Sequence, residues 1–245
     1  MKCLITGVSR GIGRATLKEL LGQGHDVWGI SRTPPSDVPV DAGGSFHHLS
    51  GDLACEKSLS EMRQAVDSAG FIPDVVILNA AIEYEEGADR LSWAPMQNTL
   101  RTNVEGALFW VCHWMDQPPV PPMQFVAISS LQALRPDADC PAYSASKAAL
   151  SLAFRSFRLR YAKGSTPFKV LYLGPVHTSI KPRFVQAPRG RGVAAPEEVA
   201  RYLVRTVLGK PQCDFYYPWA MGIAARFGMW MPDTWFERWT RPLRR

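Results

Sequence analysis

The sequence predicts an α/β protein: a doubly wound parallel sheet with helices on both faces, three layers in a single domain over residues 1–245. Three observations carry this. Short apolar runs alternate with segments of helical period. The runs are apolar throughout rather than every second residue, so their sheet is buried on both faces. A glycine-rich turn joins the first run to the first helix.

Residues 2–6 read as a buried strand that breaks at Gly7. Ile12, Ala15, Leu17, Leu20 and Leu21 recur at helical spacing over 12–21, and Gly22 and Gly24 end that helix. Residues 26–30 read as a second strand, followed by a loop with Pro34, Pro35 and Pro39. A third strand is predicted over 46–49, a helix over 59–69 and a fourth strand over 74–78. An apolar helix follows over 97–115, then a strand over 125–128, a helix over 142–161 and a sixth strand over 169–173. Residues 175–196 are loop-like, with Pro182, Pro188, Gly190 and Gly192. A loop that long within a compact domain reads as a substrate lid. Pro196-Glu197-Glu198 opens another helix, with proline in the first turn and acids at the positive end of the dipole. Residues 218–245 form an apolar, Trp/Arg-rich C-terminal segment.

The length of 245 residues suits one sizeable core, and 46% hydrophobic with 20% charged residues excludes collagen-like and disordered chains. The net charge of +6 is scattered along the chain. It does not choose among nucleic acid, an anionic membrane and a phosphorylated cofactor. No nucleic-acid recognition motif or basic helix stands out, so no nucleic-acid partner is expected. Cys3, Cys55, Cys112, Cys140 and Cys213 are odd in number and widely spaced. Reduced, mostly buried thiols are expected, with no disulfide framework and no metal site. The N-terminal apolar run is too short for a signal peptide, and no run spans a membrane. A cytoplasmic protein is expected.

Thr6-Gly7-Val8-Ser9-Arg10-Gly11-Ile12-Gly13 lies at a strand-to-helix junction. Glycine is needed where a turn is tight and where backbone must approach a diphosphate, which the helix N-terminus then receives. A tight turn without a ligand would use the same residues; the strand before and the helix after favour a dinucleotide. Ser31-Arg32 follows the second strand, where an NAD site places a carboxylate on the ribose. Arginine there, with Arg10 in the turn, can instead bind a 2′-phosphate. NADP(H) is therefore the predicted cofactor.

Tyr143 and Lys147 are four residues apart, on one helix face. At about 6 Å and an effective dielectric of about 20, the lysine charge lowers a phenol pKa by about two units. That brings tyrosine into the range for acid–base work. Such pairs also occur as half-exposed helix faces. Ser130 ends the fifth strand at the edge where ligands bind, and Asn103 lies inside an apolar helix, where asparagine needs a polar reason.

With these residues in view, the chain resembles a short-chain dehydrogenase/reductase of the roughly 250-residue, NADP-preferring type. The motifs are the Thr6–Gly13 turn, Asp52-Leu53, Asn79-Ala80-Ala81, Asn103, Ser130, Tyr143 with Lys147, and Gly174-Pro175-Val176-His177-Thr178. The resemblance runs from Lys2 to about Thr178 and weakens through the helix near Glu197. It implies a Rossmann-like fold and interconversion of a carbonyl and its alcohol. It implies Tyr143 as general acid/base, Ser130 orienting the carbonyl, Lys147 holding the nicotinamide ribose and Asn103 keeping a water in a proton relay. Gly7, Ser9, Arg10, Gly11, Ile12, Gly13, Ser31 and Arg32 would bind phosphates. Asp52 and Leu53 would meet adenine, Asn79, Ala80 and Ala81 the sheet edge, and Pro175, Val176 and Thr178 the carboxamide. Ala81 departs from the family's usual glycine. His177 reads as a hinge or surface residue rather than a second acid–base group.

Substrate contacts are expected from Gln132, Tyr84, Trp93, Ile180, Phe184 and the C-terminus. The substrate is a small-molecule carbonyl or alcohol, and a homodimer or homotetramer is expected. The tail carries Trp219, Met221, Ile223, Phe227, Met229, Trp230, Met231, Trp235, Phe236 and Trp239, with Arg226, Arg238, Arg241, Arg244 and Arg245. It reads as a subunit interface or a cover for the site, with a membrane-surface segment or a wall for a hydrophobic substrate as the alternative. A non-catalytic NADP(H)-binding scaffold on the same fold is the second functional reading.

Overall fold

In the computed structural model, seven strands form one parallel sheet in the order β3-β2-β1-β4-β5-β6-β7. The structure describes residues 1–38, 43–84, 91–116, 122–178, 192–211 and 213–240. Most of the expected lid (179–191, with Ile180 and Phe184), Pro39, and Arg241, Arg244 and Arg245 lie outside the described residues.

The strands are β1 Lys2–Thr6, β2 Asp26–Ser31, β3 Phe46–Ser50, β4 Val75–Leu78, β5 Gln124–Ser130, β6 Phe168–Leu173 and β7 Asp214–Tyr217. The helices are α1 Gly11–Gly22, α2 Glu56–Ser68, α3 Trp93–Leu100, α4 Gly106–Met115, α5 Pro141–Arg160, α6 Pro196–Tyr202, α7 Trp219–Gly228 and α8 Asp233–Thr240. Strand side chains alternate between two cores. Cys3, Ile5, Val75, Ile77, Val126, Ile128, Leu171 and Leu173 pack with Leu17 and Leu20 of α1 and Val199 of α6. Leu4, Val76, Leu78, Phe125, Ala127, Val170 and Tyr172 pack with α2, α4 and α5 through Met62, Trp110 and Phe154. This is the predicted three-layer, Rossmann-like architecture.

Two elements and the cysteines differ from the sequence reading. The helix expected over 97–115 begins at Trp93, because Pro95 falls in its first turn, where the missing N–H has no helical partner to lose. Its middle is a π-helical turn, Arg101–Glu105. Gly106 follows; a Cβ there would lie 2.5 Å from the Leu53 carbonyl oxygen, so glycine lets α4 press onto the Leu53 loop. The seventh strand, Asp-Phe-Tyr-Tyr, was not read. It is four residues long and has one neighbour only, β6, so its periodicity is weak. Buried thiols were expected, but only Cys3 and Cys140 are buried, while Cys55 and Cys112 are exposed.

Candidate active site

The sheet's strand order reverses between β1 and β4, which opens a crevice at their carboxyl ends. The Thr6 hydroxyl accepts the backbone N–H groups of Asn79 and Ala80, each at 3.0 Å. Asn79 Nδ2 donates to the carbonyls of Thr6 at 2.9 Å and Gly7 at 3.2 Å. Asn79 thus rivets the two strand ends together. Two glycines are dictated by this corner. Gly7 has φ +78°, and a Cβ on it would lie 2.8 Å from Ala80 Cα. A Cβ on Gly13 would lie 2.0 Å from the Gly7 carbonyl oxygen. Ala81 departs from the family's usual glycine without needing left-handed backbone: among the described residues, Asp37 alone of the non-glycines has positive φ.

Arg10 precedes α1 and its side chain does not cap the helix, so it leaves the first turn's N–H groups to other partners. Ser9 and Ile12 are half-buried in the same turn, and Thr178 lies against Gly11, where a Cβ would meet its Cγ2 at 3.3 Å. At the end of β2, Arg32 is exposed, whereas Ser31 is buried, its hydroxyl donating to the Thr33 carbonyl at 2.7 Å. Asp52 Oδ1 accepts the Ala54 N–H at 2.9 Å, which shapes the turn into α2, and Leu53 is buried beneath it. A close-packed glycine turn, an open helix N-terminus and exposed guanidinium groups fit a phosphorylated dinucleotide.

The four residues expected to be catalytic converge at the end of β5. Ser129 and Ser151 hydroxyls lie 2.6 Å apart and fasten α5 to the strand. Lys147 is buried, and its Nζ donates to the Ile128 carbonyl at 2.8 Å and lies 5.6 Å from the centre of the Tyr143 ring. The Ser130 hydroxyl hydrogen-bonds the Tyr143 side chain. Asn103 is fully buried in the π turn. Its Oδ1 accepts the Ile82 N–H at 2.8 Å, while its Nδ2 donates to the Ile82 carbonyl at 2.9 Å and to Ser146 Oγ at 3.0 Å. Ser146 in turn donates to the Tyr143 carbonyl at 2.7 Å. The asparagine side chain therefore ties the strand-β4 loop to α5.

Electrostatics depart from the sequence expectation. Burial pushes the Tyr143 phenol above its ordinary value, the Glu83 charge adds to this, and the Ser130 hydroxyl opposes it. Burial also pushes Lys147 down to about 8, against the pull of Glu83. Coulomb attraction across the pair omitted the cost of desolvating each charged form, and that cost dominates in a buried cluster. Glu83 was not read from the sequence. The one available signal was its place four residues after Asn79, on the segment leaving the carboxyl end of β4.

Removing that charge has a defined sign. With Tyr143 as the base, as the resemblance implies, oxidation of an alcohol would need the phenolate, and its rate would rise with pH toward the Tyr143 pKa. Glu83→Gln is expected to move this limb to lower pH, as read from the pH dependence of kcat/KM for oxidation. A limb that stays in place would separate Glu83 from Tyr143.

At the base of the expected lid, the His177 N–H donates to the Ala194 carbonyl at 2.9 Å and the Ala194 N–H to the Pro175 carbonyl at 3.0 Å. Val176 and Ala194 form a parallel bridge. Of the expected substrate contacts, Gln132 gives its amide to Asp137 at 2.8 Å, and Tyr84 and Trp93 are exposed.

The parallel sheet and its strand order place the chain among the Rossmann-type α/β proteins. The short chain dehydrogenase family matches residues 2–188, and the chain belongs to that family. An uncharacterised oxidoreductase of Myxococcus xanthus (strain DK1622) is 27% identical, over 98% of this chain and 96% of its own. A short-chain dehydrogenase from Sphingobium yanoikuyae in complex with NADPH shares the fold at TM-score 0.76 and 19% identity, over 93% of this chain and 94% of that one. So does a 4-hydroxyisoleucine dehydrogenase complexed with NADH, at TM-score 0.76 and 17% identity, over 88% and 96%. Among the described residues, no helix is long and apolar enough to cross a membrane.

Proposed function

We propose that the chain is an NADP(H)-dependent oxidoreductase that interconverts a carbonyl and its alcohol, with Tyr143 as general acid/base. The observation that carries this is the Ser130–Tyr143–Lys147 cluster at the carboxyl end of β5, with Lys147 buried and Ser130 and Tyr143 half-buried, beside the glycine corner. Bound NADPH would supply the hydride that reaches the carbonyl carbon. Gly7, Ser9, Arg10, Gly11, Ile12 and Gly13 would hold its diphosphate, and Arg32 its 2′-phosphate beside Ser31. Asp52 and Leu53 would flank adenine, and Asn79, Ala80 and Ala81 the crevice wall. Pro175, Val176 and Thr178 would border the nicotinamide.

In reduction, the Tyr143 hydroxyl gives its proton to the carbonyl oxygen and the Ser130 hydroxyl donates a hydrogen bond to the same oxygen. The product is the alcohol, with phenolate left on Tyr143. Lys147 stabilises that phenolate and holds the cofactor ribose, and a water at the π turn of Asn103 returns the proton. A phenol held protonated at neutral pH suits the acid role, so reduction stays level through neutrality and oxidation gains as pH rises.

Support for NADP(H) comes from the exposed Arg10 and Arg32 and from the Sphingobium structure's NADPH. The NADH-bound neighbour makes the discrimination the point to test. NADPH oxidation is measured against a panel of ketones, aldehydes and 3-oxoacyl compounds, for wild type and Arg32→Asp. The variant is expected to raise KM for NADPH by about 10- to 100-fold, with little change for NADH. Equal losses with both cofactors would remove Arg32 from the 2′-phosphate, and absence of turnover across the panel would count against carbonyl chemistry.

A further inference from the structure

Helix α7 has its faces reversed. Its buried positions are the small residues Gly222 and Ala225, and a Cβ on Gly222 would lie 2.3 Å from Tyr216 Cβ. Its large apolar residues, Trp219, Ile223 and Phe227, recur every four residues and form one stripe in solvent. Trp219 is 70% exposed, Phe227 74% and Trp230, in the turn to α8, 91%. Trp235 on α8 is exposed too. A helix packed for its own stability would bury these and expose the small ones.

The helices are nonetheless held firmly. Buried Arg135, on the connection between Ser130 and Tyr143, binds the Asp233 carboxylate and the Met231 carbonyl. The Gly174 N–H donates to the Tyr217 carbonyl at 2.8 Å, and a Cβ on Gly174 would meet Met221 Sδ at 3.4 Å. The two helices are thus rooted on the connection that leads into α5 and on the end of β6.

Charge selects the occupant. Residues 218–245 carry five arginines against Asp233 and Glu237, in a chain of net charge +6. Asp233 is already taken by Arg135, and Arg226 is engaged by Asp214 and the Tyr216 hydroxyl. A second copy meeting this face would bring together two segments of the same net positive charge. An anionic lipid surface complements the charge, and tryptophan with arginine is the pairing that settles at a bilayer's headgroup level. At ten and eight residues, α7 and α8 can lie on a bilayer but not cross it.

We propose that the exposed face of α7 and the α7–α8 turn is a docking surface for an anionic phospholipid bilayer. The full chain is sedimented with vesicles of phosphatidylcholine plus phosphatidylglycerol, and with vesicles of phosphatidylcholine alone. Wild type binds the anionic vesicles, and binding weakens with phosphatidylcholine alone and with added salt. The double substitution Phe227→Gln with Trp230→Gln lowers the bound fraction by about tenfold or more, while its melting temperature, its turnover and its mass in vesicle-free buffer stay as in wild type. No sedimentation of wild type with anionic vesicles overturns the assignment, as does undiminished sedimentation of the double variant. A double variant of lower oligomeric mass also overturns it, by giving the face to a second copy of the chain.

Discussion

Tyr143→Phe is expected to lower kcat for carbonyl reduction by about 10²- to 10⁴-fold, the contribution of a positioned acid–base group. The substitution removes one hydroxyl and keeps the ring in its packing. Ser130 loses a partner but stays partly open to the crevice, so the fold should survive. Among the side chains of the cluster, the phenol is the proposed proton donor. Lys147 is turned onto the Ile128 carbonyl, and Ser130 is far too weak an acid. The measurement is steady-state reduction of the best carbonyl from the panel, alongside cofactor titration by fluorescence. Cofactor affinity should change little. Turnover within about tenfold of wild type would exclude Tyr143 as the proton donor.

Gly13→Ala is expected to be the most damaging single-methyl substitution in the glycine turn. The new Cβ would lie 2.0 Å from the Gly7 carbonyl oxygen and 2.5 Å from Asn79 Nδ2. The first neighbour is backbone, and the second is committed to two carbonyls, so neither can yield without opening the β1–β4 corner. Overpacking of this kind costs about 3 kcal/mol, which lowers the melting temperature by roughly 6–12 °C in a chain of this length. Gly22→Ala, at the far end of the same helix, meets nothing within 4 Å. It should leave stability unchanged or raise it by up to about 1 kcal/mol. Thermal melts of the two variants test the contrast, and similar melts would show that the turn tolerates side-chain bulk.

Both substitutions fall on residues that stand out in the amino-acid sequence itself. Gly7, Gly11 and Gly13 lie close together in the chain, and the turn they make is a local event. Tyr143 and Lys147 are one helical turn apart, so their shared face also follows from spacing. Strands β1, β2, β4, β5 and β6 announced themselves because a buried parallel strand must be apolar at nearly every position; the edge strand β3, Phe-His-His-Leu-Ser, has no buried residue. Asn103 was conspicuous as a polar residue within an apolar helix, although its clamp on Ile82 needed the fold to be seen. Weak local signals were lost: the edge strand β7, and a helix start displaced by Pro95.

By itself, then, the sequence determined the α/β class, the glycine turn, the tyrosine–lysine face and the serine at the strand end, because each is written in residues close together along the chain. Only the tertiary structure decided what lies next to them. The Glu83 charge acts on Tyr143 and Lys147, which lie far from it in the chain. Lys169 reads as one more strand residue, yet its ammonium is buried on the carbonyls of Val207 and Leu208. Burial reversed the sign expected for the Tyr143 shift. The aromatic tail was legible as a composition, but its outward face was not. Desolvation and long-range contact depend on which distant segments pack together, and no local period records that.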